Sequence, residues 1–203
     1  MKVRKELSIL LLFLSLILAL LPISANRSFT AKPDKLLSTV LSSDASFTAD
    51  QVAEFIVRED STVQLIDLRP AEEFRKQTIP GAVNIPYNEF INKDPEIWLG
   101  NKKIRNIFYA KGDTEADFAM VYARGLGYEN SYVMKGGIME WITTVIETKF
   151  TGNRITAREN ALYETRRRAG EMFAVLNSLP DSLKTKYLES RKFSAKKLDG
   201  GCE

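Results

Sequence analysis

The stretch LIDLRPAEEFRKQTIPGAVNIP, Leu65 to Pro86, decides the fold. It opens within a short apolar run, VQLIDL from Val63 to Leu68, of the kind buried in a parallel sheet. Asp67 lies at the C-terminal end of that strand, beside Arg69, where a carboxylate can bond backbone donors of neighbouring loops. Residues 71–76 make a helical turn. Pro80 and Gly81 fix a turn that admits little else, and AVNIP follows as a second strand bounded by Pro86.

Working outward, Thr48 is a good helix N-cap, with Gln51 three residues later and Val52, Phe55 and Ile56 on one face. Downstream, residues 104–109 form a third strand, about 115–126 a helix, and Ser131 to Met134 a fourth strand. Gly136 and Gly137 let backbone approach closely before a helix from Ile138. Strands alternating with helices predict an α/β fold, a mainly parallel sheet of four or five strands covered on both faces. No internal repeat is visible. Arg27 to Ser46 is a Ser-, Lys- and Thr-rich linker, with one apolar cluster at Leu36, Leu37, Val40 and Leu41 that suits a short helix.

Two blocks, Leu65 to Pro86 and GYENSYVMKGGIMEW from Gly127 to Trp141, together resemble the rhodanese homology domain. In that family a strand ends in Asp-x-Arg, a helix carries Glu-Phe or Glu-Tyr, Ile-Pro-Gly-Ala leads into the next strand, and a double glycine precedes the last helix. The resemblance covers about Phe47 to Thr148, half the chain, and makes Asp67, Arg69, Pro80, Gly81, Gly136 and Gly137 scaffold positions. It also implies where chemistry belongs. The family's active loop follows the central strand and opens with a cysteine, whose sulfur is wrapped by backbone N–H groups at a helix N-terminus. Those groups and the helix dipole lower the thiol pKa.

Counting back from Gly136 along the family's spacing puts that position at Ala110 in IFYAKGDTEAD, Ile107 to Asp117. The loop equivalents are then Ala110, Lys111, Gly112, Asp113, Thr114 and Glu115. A methyl group cannot carry sulfane sulfur. Where family members commonly place arginine near the loop's end, this loop has Asp113, Glu115 and Asp117, which suit a helix N-terminus and repel a dianion such as thiosulfate. Acid catalysis by Asp113 and Glu115 lacks any accompanying metal motif. The family's histidine before Ile-Pro-Gly is also absent, with Gln77-Thr78 in its place. The resemblance therefore implies a fold that has kept its loop and lost its nucleophile.

Composition narrows the chemistry further. The chain has 203 residues, 44 % apolar and 27 % charged, enough for one domain with appendages. Histidine is absent, which removes the commonest general base and the commonest zinc ligand. A single cysteine, Cys202, excludes an internal disulfide and any cysteine-cluster metal site. No metal or other cofactor is implied.

The N-terminus has the form of a targeting segment. Lys2, Arg4 and Lys5 precede an apolar run of fifteen residues, Leu7 to Leu21, interrupted only by Ser8 and Ser15. Pro22 breaks it, and Ala25 is a small residue at a plausible cleavage point. The run is shorter than the ~20 residues of a spanning helix, so residues 1–25 are a signal peptide or, uncleaved, a membrane anchor. A lipoprotein is disfavoured, since no cysteine follows. Either form places the remainder outside the cytoplasm, in the periplasm or an equivalent compartment.

Charge divides the rest. Residues 26–150 carry 15 basic and 18 acidic side chains, and residues 151–203 carry 11 basic and 7 acidic. The basic excess lies in the tail, where it forms a solvated face or touches anionic lipid or an acidic partner. No aromatic-interleaved basic patch points to nucleic acid. In the tail, residues 155–179 place Ile155, Leu162, Ala169 and Leu176 seven apart, with Met172, Phe173 and Leu179 beside them, which predicts an amphipathic helix. Pro180 ends it, and Leu183, Tyr187 and Leu188 mark a shorter segment.

The expected organisation is thus 1–25 targeting or anchor, 26–46 linker, 47–148 rhodanese-like domain and 149–203 helical basic tail. Three roles fit it. The first is an exported, catalytically silent module for binding or scaffolding, with an unidentified protein partner or self-association through the tail helix. The second is a sulfur-transfer or thiol-redox protein using Cys202 as sulfur carrier. The third is a membrane-anchored structural protein.

Overall fold

Five parallel strands form one sheet in the order β1-β5-β4-β2-β3 in a computed structural model that describes residues 43–150 and 156–187, with positions 6–7, 10–13, 15, 29–32, 34, 36 and 38. The strands are β1 (Ser46–Phe47), β2 (Val63–Asp67), β3 (Val83–Asn84), β4 (Arg105–Tyr109) and β5 (Ser131–Met134). The helices are α1 (Ala49–Val57), α2 (Ala71–Lys76), α3 (Tyr87–Asn92), α4 (Glu96–Leu99), α5 (Thr114–Gly125), α6 (Gly137–Trp141) and α7 (Ala157–Ser178). A π-helical turn, Ile142–Ile146, continues α6.

The apolar runs read from the sequence are the central strands. β2 pairs with β4 along its whole length, Val63 against Arg105 through Asp67 against Tyr109. Alternation sends their side chains to two cores. Leu65, Ile107 and Tyr109 join Val52, Phe74 and Trp141 under α1, α2, α6 and α7. Ile66, Leu68, Phe108 and Ala110 join Phe90, Ala116 and Met120 under α3 and α5. Both faces are therefore dry, which is why these strands read as continuous apolar runs. Thr48 caps α1 as expected: its side chain accepts from the Gln51 amide while the Gln51 side chain accepts from its own.

Three boundaries differ from the sequence reading. Ser46 belongs to β1, so the sheet begins inside the supposed linker. Its two residues carry no periodicity and are specified by pairing with Val133 and Met134. Helices α3 and α4 were not expected, because each is a turn or so behind a proline, Pro86 and Pro95. The linker is also tied down. The Thr30 and Ala31 amides donate to the Gly125 carbonyl at 2.8 and 3.3 Å, and the Phe29 ring meets the Tyr122 ring edge-on.

The tail docks on the domain. Helix α7 is capped by Thr156 with Glu159 and packs along α1, where Arg166 grips Asp50 through two bonds of 2.6 and 2.7 Å. Ala169, Phe173 and Leu176 are buried. Leu162, expected in the same stripe, is exposed, one turn before the Arg166–Asp50 pair and ahead of the buried positions Ala169, Phe173 and Leu176. Ile155 and Leu188 lie outside the described residues, as does Cys202, together with most of the 1–25 segment. Among the described residues no helix is long and apolar enough to cross a membrane.

Candidate functional site

Strand β2 leaves toward β3 through α2 on one face of the sheet, and β4 leaves toward β5 through α5 on the other. The crevice outside their C-terminal ends is a topological switch point, the position where open α/β sheets bind ligands. Two groups of predicted residues converge there: Asp67 and Arg69 from β2, and the loop 110–115 from β4.

On the β2 side the polar groups are committed to one another. Asp67 is fully buried and Arg69 is 5 % exposed. One Asp67 oxygen accepts from the Arg69 amide and Nε at 2.9 and 3.0 Å, and the other from Nη2 at 2.6 Å. The carboxylate thus holds its own turn rather than the neighbouring loops expected from the sequence. Arg69 Nη2 also donates to the Gln77 carbonyl at 2.8 Å, and Asn84 Nδ2 donates to the Asp67 and Arg69 carbonyls. Stacked under the guanidinium, 5.9 Å away, is the ring of Tyr109. Burial, then the negative charge of Asp67, push the Tyr109 hydroxyl well above its ordinary pKa. Arg69 is therefore a buried strut and presents no face to an anion.

On the β4 side, Ala110 is fully buried and its methyl belongs to the core beneath α5. Its carbonyl accepts from the Ile138 amide at 2.9 Å. A side chain on Gly137 would sit 2.5 Å from that carbonyl oxygen and 2.9 Å from the Gly112 oxygen, at φ +58°. Only glycine fits there, because the double-glycine turn lies directly against the loop. Asp113 completes the clamp by accepting from the Gly136 amide. With its carbonyls turned toward α6, the loop leaves Lys111 to Glu115 exposed, and no hydrogen bond among the described residues uses their amide protons. These amides open the twelve-residue α5, an arrangement suited to anions. Around it stand Asp113, Glu115 and Asp117 against Lys111. Burial and the neighbouring Asp113 raise the Asp117 pKa, with Lys135 opposing them.

A further set of residues was not foreseen. Thr78, fully buried, is bracketed by the tail: its amide donates to Asn177 Oδ1 and its carbonyl accepts from Asn177 Nδ2, both at 2.9 Å. Lys184, 3 % exposed, donates to Asn177 Oδ1 and to the Arg75 and Lys76 carbonyls. The last carbonyls of α2 are thus capped by Lys184 and, through Gln77, by Arg69. Polar residues on a tail helix give no sign of this in the sequence, since the partners lie about a hundred positions away. Among the described residues no group of three or more His, Cys, Asp and Glu is placed to hold a metal ion.

Comparison with known proteins agrees with this architecture. The Rhodanese-like domain family matches residues 48–144. The mitochondrial thiosulfate sulfurtransferase RDL2 of Saccharomyces cerevisiae is 26 % identical over 129 residues, 57 % of this chain and 78 % of its own. An HTH-type transcriptional regulator of Mycobacterium tuberculosis is 36 % identical over 86 residues, 41 % of this chain but only 36 % of the regulator. Among solved structures, a human single-domain sulfurtransferase aligns with a TM-score of 0.43 at 22 % identity, covering 49 % of this chain and 96 % of its own. Residues 48–144 thus match the rhodanese-like domain, and one curated relative is named as a thiosulfate sulfurtransferase.

Proposed function

We propose that the protein is an exported rhodanese-like module that binds a partner without transferring sulfur through the loop after β4. The observation that carries this is Ala110. The family resemblance places the sulfur-bearing residue there, and the side chain present is a buried methyl. No cysteine occurs anywhere before Cys202, so nothing in the sheet or its loops can form a persulfide. Two features of the crevice support the reading. Arg69 is enclosed by Asp67 and the Gln77 carbonyl, and the exposed loop carries more acidic than basic side chains. Export rests on the basic residues before the apolar run and on Ala25 after it.

A second reading follows from the kinship to a protein named as a thiosulfate sulfurtransferase. Here Cys202 would act as sulfur carrier for the domain. The full-length protein assayed for thiocyanate formation from thiosulfate and cyanide separates the two. The binding-module reading expects no turnover above a thiol-blocked control. Turnover that disappears in Cys202→Ser would replace it with the second.

A further inference from the structure

A second concavity lies away from the crevice, on the face covered by α1 and α7. It has a volume of about 350 Å³ and runs between the C-terminal end of α1, the β2–β3 edge at Pro80 and Gly81, and Met172 of α7. That volume is in the range of small-molecule sites, and interfaces between packed units are where such sites recur. It corresponds to about twelve water volumes. Its walls are apolar: Phe55, Ile56, Val63, Val83, Ile104 and Met172 all line it and all remain half-buried. The charged side chains lining it are Glu59 and Asp60, and no lysine or arginine does so.

The two carboxylates differ. Asp60 is engaged, accepting from Thr62 and pairing with Arg105 at 2.9 Å. Glu59 is exposed and has no ion-pair partner among the described residues. It also holds φ +51°, the left-handed conformation in which a helix usually ends on glycine. A glycine there would relieve the backbone, so the chain keeps a carboxylate at the mouth of an apolar cleft against its conformational preference.

We propose that this cleft binds a small amphiphile with an apolar body and a cationic head, the body on Ile56, Val63 and Val83 and the head at Glu59. The site shares no residue with loop 110–115 or with the Asp67–Arg69 pair, so it stands or falls apart from the reading of that crevice.

The test is titration of the full chain with octylammonium and, separately, octanoate, which share a chain and differ in the sign of the head. Amide NMR shifts are the readout. Octylammonium is expected to saturate in the millimolar range, with shifts at residues 55–64, 81–83 and 172. Octanoate is expected to bind about five-fold more weakly, the difference between attraction and repulsion at one exposed charge. Glu59→Gly should remove that preference while raising Tm by about 2–4 °C, because it relaxes the backbone. Ile56→Trp should fill the cleft and abolish both titrations. The proposal is overturned if octylammonium fails to saturate or shifts other residues. Equal binding of the two probes by the wild type, or an unchanged preference in Glu59→Gly, overturns it as well.

Discussion

Replacing Asn177 with alanine should destabilise the domain far more than its place on a surface helix suggests. In the native fold its side chain makes both backbone bonds of Thr78, accepts from Lys184 at 2.7 Å and donates to the Phe173 carbonyl. Thr78 is fully buried and Lys184 nearly so, so Asn177→Ala strands an amide, a carbonyl and one ammonium donor. Neutral bonds of this kind contribute about 0.5–1.5 kcal/mol each, and those to a charged group about 1.5–3 kcal/mol. Water entering the gap recovers part of the sum, which leaves an expected loss of about 3 kcal/mol. For a protein of this size that lowers Tm by about 6–12 °C. Urea unfolding followed by circular dichroism measures it, with Val175→Ala as control. Val175 is 65 % exposed on the same helix, and its truncation should change stability by less than about 0.5 kcal/mol. Equal effects for the two variants would show that the tail does not latch Thr78.

Arg69→Met should cost about 3–5 kcal/mol in the same assay, because it leaves the Asp67 carboxylate buried and unpaired. Adding Asp67→Leu should recover much of that loss; no recovery would mean that the pair's charge is not what matters. The raised pKa of Tyr109 predicts a pH effect. Its contribution is fully present below the unfolded tyrosine pKa of about 10 and is lost as pH climbs from there toward the higher folded value. Stability measured at pH 8 and again above pH 10 should therefore fall more in the wild type than in Tyr109→Phe. Gly125→Ala would place a Cβ 2.0 Å from the Phe29 ring. It should release residues 29–31 to proteolysis without lowering Tm, since alanine favours the helix by about 1 kcal/mol. Unchanged cleavage would show that the linker is not held there.

How much of this was legible follows from the range of the forces involved. Val63 to Leu68, the turn at Pro80-Gly81 and the cap at Thr48 are specified by residues adjacent in the chain, and the structure has each where the pattern put it. The role of Gly137 was legible in kind, as a close approach, but not in object: its neighbour is the Ala110 carbonyl. Strand β1 escaped because two residues carry no period. Leu162 was misassigned because a heptad spacing says which face a residue shares, not how far along the helix the partner extends. Asn177 and Lys184 were invisible for a different cause. Their identities suit a solvated helix face equally well, and only the arrival of α2 beneath them makes them structural. The crevice divides the same way. The sequence named the residues at its rim, whereas the enclosure of Arg69 by Asp67 and Gln77 exists only once β2 and α2 are folded.

The central claim, that the loop after β4 is kept and its nucleophile is lost, is tested most directly by comparing thiocyanate formation by the wild-type protein and by Ala110→Cys. The wild type should show no turnover above the thiol-blocked control. In Ala110→Cys a sulfur stands at the start of a loop whose Lys111 to Glu115 amides make no hydrogen bond among the described residues. These amides and the α5 dipole outweigh the burial of the position, so the new thiol should titrate below the ~8.5 of an ordinary cysteine. Asp113 and Glu115 limit that depression and the entry of thiosulfate, so measurable but slow turnover is predicted. Adding Asp113→Gly and Glu115→Arg should raise it. Sulfur transfer by the wild type would contradict the account, as would an Ala110→Cys thiol titrating at or above the ordinary value.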